Sequence, residues 1–316
     1  MMTKKPLALA VVLTAMATQS FAESFEIEEI VVTATKRKGV DVQDVPASIS
    51  VFGAESLKNA KVESLTDLTS LSPSLIAVQA QNPSASRIGL RGLSTPANNV
   101  GFEAAVGVSI DGVARSRTGI ALSELPELAS VEVLRGPQGT LFGRNTSAGV
   151  ININTAKPDP EGGGYLNVSA GNYDAQTIQG AINIPISDAW NGRVDAKYRS
   201  RDGYFDDLNS STDVNDLERS AVRAQLTFDG EGSALRIIAD WARSDSVCCG
   251  AVLFKNNGIP GAFTALAAAE GRDAYGSDDI GDYELALSDT PSDEVAEWGI
   301  SAEYNRDIDD MTFTSV

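Results

Sequence analysis

The sequence predicts a mixed α/β domain followed by antiparallel strands of a transmembrane β-barrel, with too few strands to close that barrel. Three observations support this fold class. Helix-like and strand-like runs alternate between residues 41 and 158. From residue 161 onward, polar and apolar residues alternate, as they do in strands with two different faces. The links between these strands are alternately short and long, which is typical of membrane-spanning barrels.

Residues 1–22 have the pattern of a cleaved secretory signal peptide. Lys4 and Lys5 precede an apolar run from Leu7 to Thr18, and small residues at the end of the segment suit cleavage before Glu23. A run this short does not span a bilayer as a helix, for which about 20 apolar residues are needed. We therefore predict that the mature chain is exported.

The composition excludes several classes of function. The 316 residues include 25 basic and 43 acidic side chains, and the resulting net charge of −18 argues against binding of nucleic acids. The sequence contains no histidine, which excludes Ser-His-Asp and Cys-His catalysis and histidine-ligated zinc. No convergent pair of carboxylates is recognisable. An enzyme is not predicted, and neither a cofactor nor a metal is predicted.

Residues 23–40 are predicted to form a flexible arm. A short β-prone run from Ile30 to Thr35 follows acidic residues and precedes the basic residues 36–38. Nothing in the neighbouring sequence suggests a strand partner for this run, and an isolated short strand is not stable in water.

The region from 41 to 158 is predicted to form one domain. Residues 48–53 (SISVFG) are β-prone, and residues 54–73 form two short helical pieces with leucines on one face, ended by Pro73. Strand-like runs follow, separated by Gly, Pro and Asn turns: SRIGLRGL, VGVSIDGV, SVEVLRG and GVININT.

The region from 161 to 316 is predicted to contain the first strands of the barrel. Between Ala221 and Phe228, for example, one face is apolar and the other carries Arg, Gln and Thr. A water-soluble sandwich has the same alternation, so the loops decide: apart from the turn around GNYDA, short and long links alternate. The predicted strands lie near residues 164–171, 176–186, 193–201, 219–228, 234–243, 295–304 and from 311 onward.

Three runs resemble the plug domain of TonB-dependent outer-membrane receptors: LRGLS (90–94), VSIDGV (108–113) and VEVLRGPQGTLFGRNTSAGVININTAKP (131–158). The run EEIVVTA (28–34) is similar to the TonB box of these receptors. The resemblance follows the chain in order, as leader, box, plug and first barrel strands. It implies a plugged barrel of about 22 strands in the cell outer membrane, so this chain is expected to be the N-terminal part of such a receptor.

The glycine-rich part of the 131–158 run has no Gly-Lys-Ser/Thr, so a phosphate site is not predicted. A plug must turn tightly and pack backbone against backbone, in conformations that glycine adopts at low cost. Gly136, Gly139, Gly143 and Gly149 are predicted to serve this purpose. A surface hairpin is the alternative interpretation of the same residues.

The resemblance implies TonB-dependent active transport of a ferric siderophore or a similar large nutrient. The implied partners are the energy-transducing TonB protein of the periplasm, the nutrient ligand and outer-membrane lipid, and the receptor is expected to be a monomer. A passive or adhesive barrel is the alternative function, and an exported enzyme is a third. The predicted TonB box, which adds as a strand to a sheet edge of TonB or else is a plain linker, consists of Ile30, Val31, Val32, Thr33 and Ala34.

The resemblance also implies a latch between plug and barrel. In the family pattern, arginines of two LRG strings face acids of the barrel wall, and here these arginines are Arg91 and Arg135. Because a buried charge is costly without a partner, such a pairing is sensitive to strain. The barrel acids are expected in strands that follow this sequence. Glu132 is an alternative partner, either for Arg135 or for a backbone group of the plug.

Ligand contacts are expected in the plug loops of residues 94–102 and 116–120 and beside them. The candidate residues are Asn98, Asn99, Phe102, Arg115 and Arg117. They suit an iron chelate, a corrinoid or a glycan, so the identity of the ligand stays open.

The second long loop contains the two cysteines of the sequence, the adjacent Cys248 and Cys249. Their spacing rules out a CxxC motif and leaves three alternatives: a disulfide between neighbours, two thiols, or pairing with other cysteines. Acidic residues of the long loops, such as Asp206, Asp207 and Asp282, form either a solvated face or a cation site.

Overall fold

The computed structural model describes residues 31–36, 40–78, 87–95, 103–115, 126–210, 212–248, 250, 261–274 and 280–316. Two sheets dominate these residues. A five-stranded sheet lies between residues 48 and 155, and a seven-stranded sheet lies between residues 163 and 315. They correspond to the predicted α/β domain and to the predicted run of antiparallel strands.

The strands of the first part are short. In chain order they are β1 (Val31–Val32), β2 (Val40–Asp41), β3 (Ser48–Gly53), β4 (Leu75–Val78), β5 (Arg87–Leu90), β6 (Leu93–Ser94), β7 (Val106–Ile110), β8 (Val113–Arg115), β9 (Leu128–Arg135) and β10 (Gly149–Thr155). The five-stranded sheet has the order β3-β9-β10-β7-β8, in which β10 and β7 are parallel and the other pairs are antiparallel. The predicted strand at residues 48–53 is confirmed as β3.

The five-stranded sheet is covered on both faces. Successive side chains of a strand point to opposite faces, so the same two central strands, β9 and β10, supply both cores. The main core combines odd-numbered residues of these strands with leucines of the 54–70 segment: Leu57, Leu65, Leu68, Val131, Val133, Ile151 and Ile153. The smaller cluster on the opposite face includes Val32, Ala34, Leu134 and Val150.

Two short helical pieces follow β3, as predicted: the α-helix Ala54–Asn59 and the 3-10 helix Asp67–Ser70. The Asp67 carboxylate accepts hydrogen bonds from the N–H groups of Glu63 (3.0 Å) and Ser64 (2.8 Å), which closes the turn before the second piece. The other described helical elements are the 3-10 helix Val42–Asp44, the α-helices Gly139–Phe142 and Gly261–Ala269, and the 3-10 helix Ile280–Asp282. In the described ranges, no helix combines the length and the apolar character that crossing a membrane requires.

The second part is built from longer strands. They are β11 (Gly163–Ala170), β12 (Gln176–Pro185), β13 (Trp190–Arg201), β14 (Phe205–Asp207), β15 (Asp213–Val214), β16 (Leu217–Gly230), β17 (Ser233–Val247), β18 (Glu284–Leu285), β19 (Ser292–Ile308) and β20 (Met311–Ser315). The seven-stranded sheet has the order β11-β12-β13-β16-β17-β19-β20, and every pair is antiparallel. These are the seven strands that the sequence predicts.

The seven-stranded sheet buries polar residues and exposes apolar ones. The buried face carries charged side chains, including Arg193, Asp195, Lys197, Arg219, Arg223 and Arg236. The opposite face carries exposed apolar side chains, including Leu166, Val168, Ile182, Trp298 and Ile300. This is the reverse of a water-soluble sheet, in which the apolar face is the buried one.

The two long links of the second part fold together. β14 pairs antiparallel with β15 and parallel with β18, so the links after β13 and after β17 share one small sheet. Both links are predicted to be loops, because strands of two or three residues carry no recognisable period. Cys248, beside these links, is buried and disulfide-bonded, so the alternative of two thiols is wrong. Cys249 lies outside the described residues.

Asp207 at the end of β14 is the polar centre of this small sheet. It is buried, and its carboxylate accepts hydrogen bonds from the N–H groups of Leu287 (2.9 Å) and Asn209 (3.3 Å) and from the Ser210 hydroxyl. Burial by itself raises the pKa of Asp207, but these hydrogen bonds outweigh it and hold the pKa below its ordinary value.

Candidate functional site

The N-terminal segment, residues 31–36, lies on the five-stranded sheet. Its strand β1 pairs antiparallel with β2, with Val31 opposite Asp41 and Val32 opposite Val40. The prediction of a strand run without a partner is therefore wrong, because two-residue strands leave no pattern by which a partner is recognised. Val31, Val32, Thr33 and Ala34 of the predicted TonB box belong to this segment, and Ile30 lies outside the described residues.

The carboxylate of Glu132 holds the N-terminal segment. Its Oε1 accepts hydrogen bonds from the N–H and the hydroxyl of Thr33, both at 2.8 Å, and its Oε2 accepts one from the N–H of Ala34 at 2.7 Å. The amides of Asn152 and Asn154 donate to the two carboxylate oxygens, each at 3.2 Å. We call Glu132, Asn152 and Asn154 the Glu132 site.

The sequence brings the Glu132 site together by register. Glu132 of β9 pairs with Asn152 of β10 across the sheet, and Asn154 is two residues further along β10. Side chains two residues apart share a face, so all three point toward the N-terminal segment. Val32 and Ala34 of that segment are buried beside them, against the smaller apolar cluster.

Glu132 is fully buried, with 0% of its surface exposed. Within the described ranges it forms no salt bridge, so its charge is balanced by amide, N–H and hydroxyl donors. A hydrogen bond to a charged group contributes about 1.5–3 kcal/mol, and losing one leaves a buried charge without a donor. The segment is therefore held firmly while it is in place, yet by only a few polar contacts that a competing load can break.

The two predicted latch arginines are Arg91 and Arg135, and their pairing with barrel acids stays a prediction. Arg135 donates to the hydroxyls of Ser74 (2.6 Å), Ser50 (2.9 Å) and Ser72 (3.3 Å). Burial and the neighbouring charge of Arg91 both lower the pKa of Arg135. Neither arginine forms a salt bridge in the part of the chain that the structure describes. Glu132 binds backbone groups of the N-terminal segment instead of Arg135, which selects one of the two alternatives for its role.

The four predicted turn glycines fall into two groups. Gly136, Gly143 and Gly149 have φ of 89°, 75° and 151°, values that side chains with a Cβ rarely adopt. A Cβ at Gly149 would also lie 2.2 Å from the carbonyl oxygen of Leu134, so this position requires glycine on two counts. Gly139 is different: its φ is not positive and a Cβ there would meet open space, so a need for glycine at that position is wrong.

The joint between the two large sheets centres on Asp111, which sequence analysis does not single out. Asp111 lies in the turn between β7 and β8 and is buried. Its carboxylate accepts hydrogen bonds from Arg236 (2.9 Å), from Arg223 and from the N–H (3.0 Å) and hydroxyl (2.8 Å) of Thr155. Arg223 is on β16 and Arg236 on β17. We call these four residues the Asp111 joint.

Two further acids of the first part bind bases of the seven-stranded sheet. Glu127 pairs with Arg193, and Glu63 lies 3.2 Å from Arg199. At these contacts the acid belongs to the first part and the base to the sheet, opposite to the predicted latch. Two sequence features could have indicated the Asp111 joint: the Asp-Gly pair in a turn of the first part, and arginines on the polar face of neighbouring strands in the second part.

Of the ligand-contact candidates, Arg115 is described. It contacts Asp240 at 3.4 Å and Glu297 at 4.0 Å, both on the seven-stranded sheet, so it contributes to the joint between the parts. Asn98, Asn99, Phe102 and Arg117 lie outside the described residues, and their role stays a prediction.

A cavity of about 930 Å³ lies between the 61–67 segment and the ends of β13, β16 and β17. Its lining is polar and includes bases of both parts: Lys61, Arg199, Arg201 and Arg219. Acidic residues of the same lining, among them Glu63 and Asp67, balance part of this charge. The described residues contain no group of acids or cysteines arranged to hold a metal ion.

Comparison with known proteins decides the family. The family model of the TonB-dependent Receptor Plug Domain matches residues 41–150. The pesticin receptor of Yersinia pestis is 33% identical over 214 residues, 67% of this chain and 31% of the relative. The chain belongs to the TonB-dependent receptors. Its five-stranded sheet is the core of their plug domain, and its seven-stranded sheet consists of barrel strands.

Other TonB-dependent receptors agree with this assignment. The ferripyoverdine receptor of Pseudomonas aeruginosa is 26% identical over 177 residues, 54% of this chain and 21% of that receptor. The crystal structure of the ferric yersiniabactin uptake receptor of Yersinia pestis matches with a TM-score of 0.70 at 24% identity, over 85% of this chain and 39% of that one. This structural likeness supports the fold. The chain spans about a third of the length of the curated relatives it matches first.

Proposed function

We propose that this chain is part of a receptor that imports a ferric siderophore or a similar large nutrient across the outer membrane, driven by TonB. The observation that carries the proposal is the docking of the N-terminal segment at the Glu132 site. A segment with a TonB-box-like sequence lies directly on the two central strands of the plug, β9 and β10.

This placement gives a pull on the segment a direct mechanical effect. Thr33 and Ala34 donate hydrogen bonds to Glu132 of β9. Asn152 and Asn154 of β10 donate hydrogen bonds to the same carboxylate. Withdrawal of the segment removes three donors from a buried charge and uncovers the smaller apolar cluster. The plug is thereby changed at its centre by a force that acts at its N-terminal end.

The seven-stranded sheet supports a location in a membrane. Ile300, Trp298 and Leu166 are 73%, 77% and 70% exposed on the outer face, while charged residues are buried on the inner face. Apolar side chains on the outside and polar ones on the inside are the pattern of strands whose outer face meets lipid. With the leader-like residues 1–22, this favours export to the outer membrane and insertion there, as a monomer.

The nature of the cargo is supported by the relatives. The matched receptors include a ferripyoverdine receptor and a ferrioxamine B receptor, and both of those names refer to iron chelates. A ferric chelate is therefore the cargo class we propose to test first.

The test is an uptake measurement on the receptor expressed from its complete gene in an outer membrane. Labelled ferric siderophores are offered to cells that carry the parent receptor, Ile30→Pro or the matched control Ile30→Ala. Proline removes an N–H and disrupts strand addition, whereas alanine keeps the backbone donor. We expect Ile30→Pro to bind the chelate at the cell surface but to lose uptake, and Ile30→Ala to keep most of its uptake.

Two other outcomes argue against the proposal. Equal uptake in the parent and in Ile30→Pro indicates passive passage through the barrel. Binding and uptake that are absent for every ferric siderophore, in cells with a normal amount of the receptor, exclude the chelates tested and direct the search to other large nutrients.

A further inference from the structure

The Asp111 joint connects three strands of the plug to two strands of the barrel. Asp111 sits in the β7–β8 turn with φ of 47°, followed by Gly112 with φ of 80°, which aims its carboxylate away from the hairpin. The N–H of Asp111 donates to the carbonyl of Ile153 on β10 at 2.9 Å. Thr155, at the end of β10, donates both its N–H and its hydroxyl to the Asp111 carboxylate.

The barrel residues of the joint are also held by several hydrogen bonds and ion pairs. Arg236 donates to Gln225 through Nε (3.0 Å) and Nη2 (2.6 Å) as well as to Asp111. The Gln225 amide in turn donates to the carbonyl of Ala156 at 2.9 Å, which continues the contact past the end of β10. Arg223 also faces Asp240 at 3.6 Å. Each charge of the joint is thus paired and buried.

The Glu132 site and the Asp111 joint lie on the same strand. Asn152 and Asn154 of β10 belong to the first, and Thr155 of β10 belongs to the second. At about 3.3 Å per residue, the two contacts are within roughly 10 Å of each other along the strand. A pull on the N-terminal segment is therefore applied close to the point where the plug is bonded to the barrel.

The two contacts differ in strength. The Glu132 site binds its segment through neutral donors, and β1 adds only the two residue pairs with β2. At the Asp111 joint both partners are charged, because two arginines donate to the carboxylate, whereas at the Glu132 site only the acceptor is charged. Separating the joint would also take the acid Asp111 away from two buried arginines, which among the described residues would keep only Asp240 and Gln225 as partners, and the loss of a buried charge partner is unfavourable.

The strand order favours release from one side. β3 is an edge strand that pairs with β9, so it can leave without breaking the β9–β10 or β10–β7 pairing. The chain before Val106 otherwise contributes the helical pieces and the small sheet of β4, β5 and β6. β7 and β8 follow, and the Asp111 joint holds their turn to the barrel.

We propose that the Asp111 joint is the fixed end of the plug: it keeps β7, β8 and β10 on the barrel while the elements before Val106 are drawn out. This inference rests on the proposed function, because it assumes that force is applied at the N-terminal segment. The two buried acids then have opposite roles: Glu132 releases the N-terminal segment, whereas Asp111 retains β7, β8 and β10 on the barrel.

The test is single-molecule pulling on the receptor in outer-membrane vesicles, through a handle placed before the N-terminal segment. Because pulling needs neither TonB nor a nutrient, its outcome is independent of the uptake test. We expect the parent receptor to release up to about 75 residues, roughly 270 Å at about 3.6 Å per residue, and then to resist. Asp111→Asn is expected to release nearly the whole plug, roughly 450 Å by the same conversion.

Glu127→Gln is the matched control, because Glu127 also pairs with a barrel arginine but lies outside the joint. It is expected to keep the parent length. If Asp111→Asn fails to reach the membrane, Arg236→Gln replaces it and is expected to lengthen the release. An unchanged length in the variant pulled, a lengthening by Glu127→Gln as large as that of the joint variant, or release of the whole plug in the parent would each overturn the proposal.

Discussion

The five-stranded sheet and the seven-stranded sheet bury opposite kinds of residue. In the first, the central strands bury valine and isoleucine on one face, and on the other face they bury a few polar residues beside the smaller apolar cluster. In the second, arginine, lysine and aspartate are buried while isoleucine and tryptophan are exposed. The same alternation of polar and apolar residues therefore occurs in both sheets. The surroundings of the sheet decide whether its polar or its apolar face is exposed. An apolar outer face is stable only where the surroundings are themselves apolar.

The largest expected effect concerns the outer face of the seven-stranded sheet. Ile300→Arg is expected to destabilise the folded receptor in lipid vesicles by about 2–4 kcal/mol, the cost of a base near the middle of a bilayer. Denaturant unfolding in vesicles measures it. Ser301→Arg, on the inner face next to it, is the control and is expected to cost less. If Ile300→Arg costs less than about 0.5 kcal/mol, as on a water-exposed surface, the comparison of the two sheets breaks down.

A smaller effect is expected from backbone packing, which differs between two glycines, one in each sheet. At Gly149 of the five-stranded sheet, a Cβ would lie 2.2 Å from a carbonyl oxygen, whereas at Gly192 of the seven-stranded sheet the nearest atom is 3.7 Å away. Gly149→Ala is expected to destabilise the plug by about 1–3 kcal/mol through overpacking. Gly192→Ala is expected to be near neutral. Protease digestion in the presence of denaturant measures both, and equal effects would contradict the difference.

The smallest expected effect concerns Asp207 in the small sheet of β14, β15 and β18. Its folded pKa is below the ordinary value, so the ionised form stabilises this sheet above the ordinary pKa, and the stabilisation is lost as pH falls through the folded pKa. Hydrogen exchange is expected to show weaker protection of the Leu287 and Asn209 amides at acidic pH. Asp207→Asn should cost about 1 kcal/mol and remove this pH dependence. A pH dependence that persists in Asp207→Asn would assign it to other acids.

The strand content was predictable because it depends on period. Strand β3, the two helical pieces and the seven long strands each carry enough residues for propensity and alternation to be recognised. The paired strands β1 and β2 and the sheet of β14, β15 and β18 were not, because two- or three-residue strands depend on tertiary contacts alone.

The site was predictable only in part. Resemblance identified the N-terminal segment, and Glu132 was considered only as an alternative partner for Arg135 or for a plug backbone group, so neither the contact between Glu132 and the segment nor the role of Asp111 was predicted. Both depend on register: Glu132 meets Asn152 only because β9 and β10 pair as they do. The contacts between plug and barrel were missed for the same reason, since sequence does not state which arginine reaches which acid: Arg115 contacts a barrel acid, whereas Asp111 and Glu127 pair with barrel arginines.

The parallel pairing of β14 with β18 has a consequence for variation among such receptors. Asp206 pairs with Glu284, and Asp207 with Leu285, so two links that are far apart in sequence form one folded unit. A change of length in either link must therefore be compatible with the other. An exchange of these links between receptors should therefore preserve folding only when both links are transferred together.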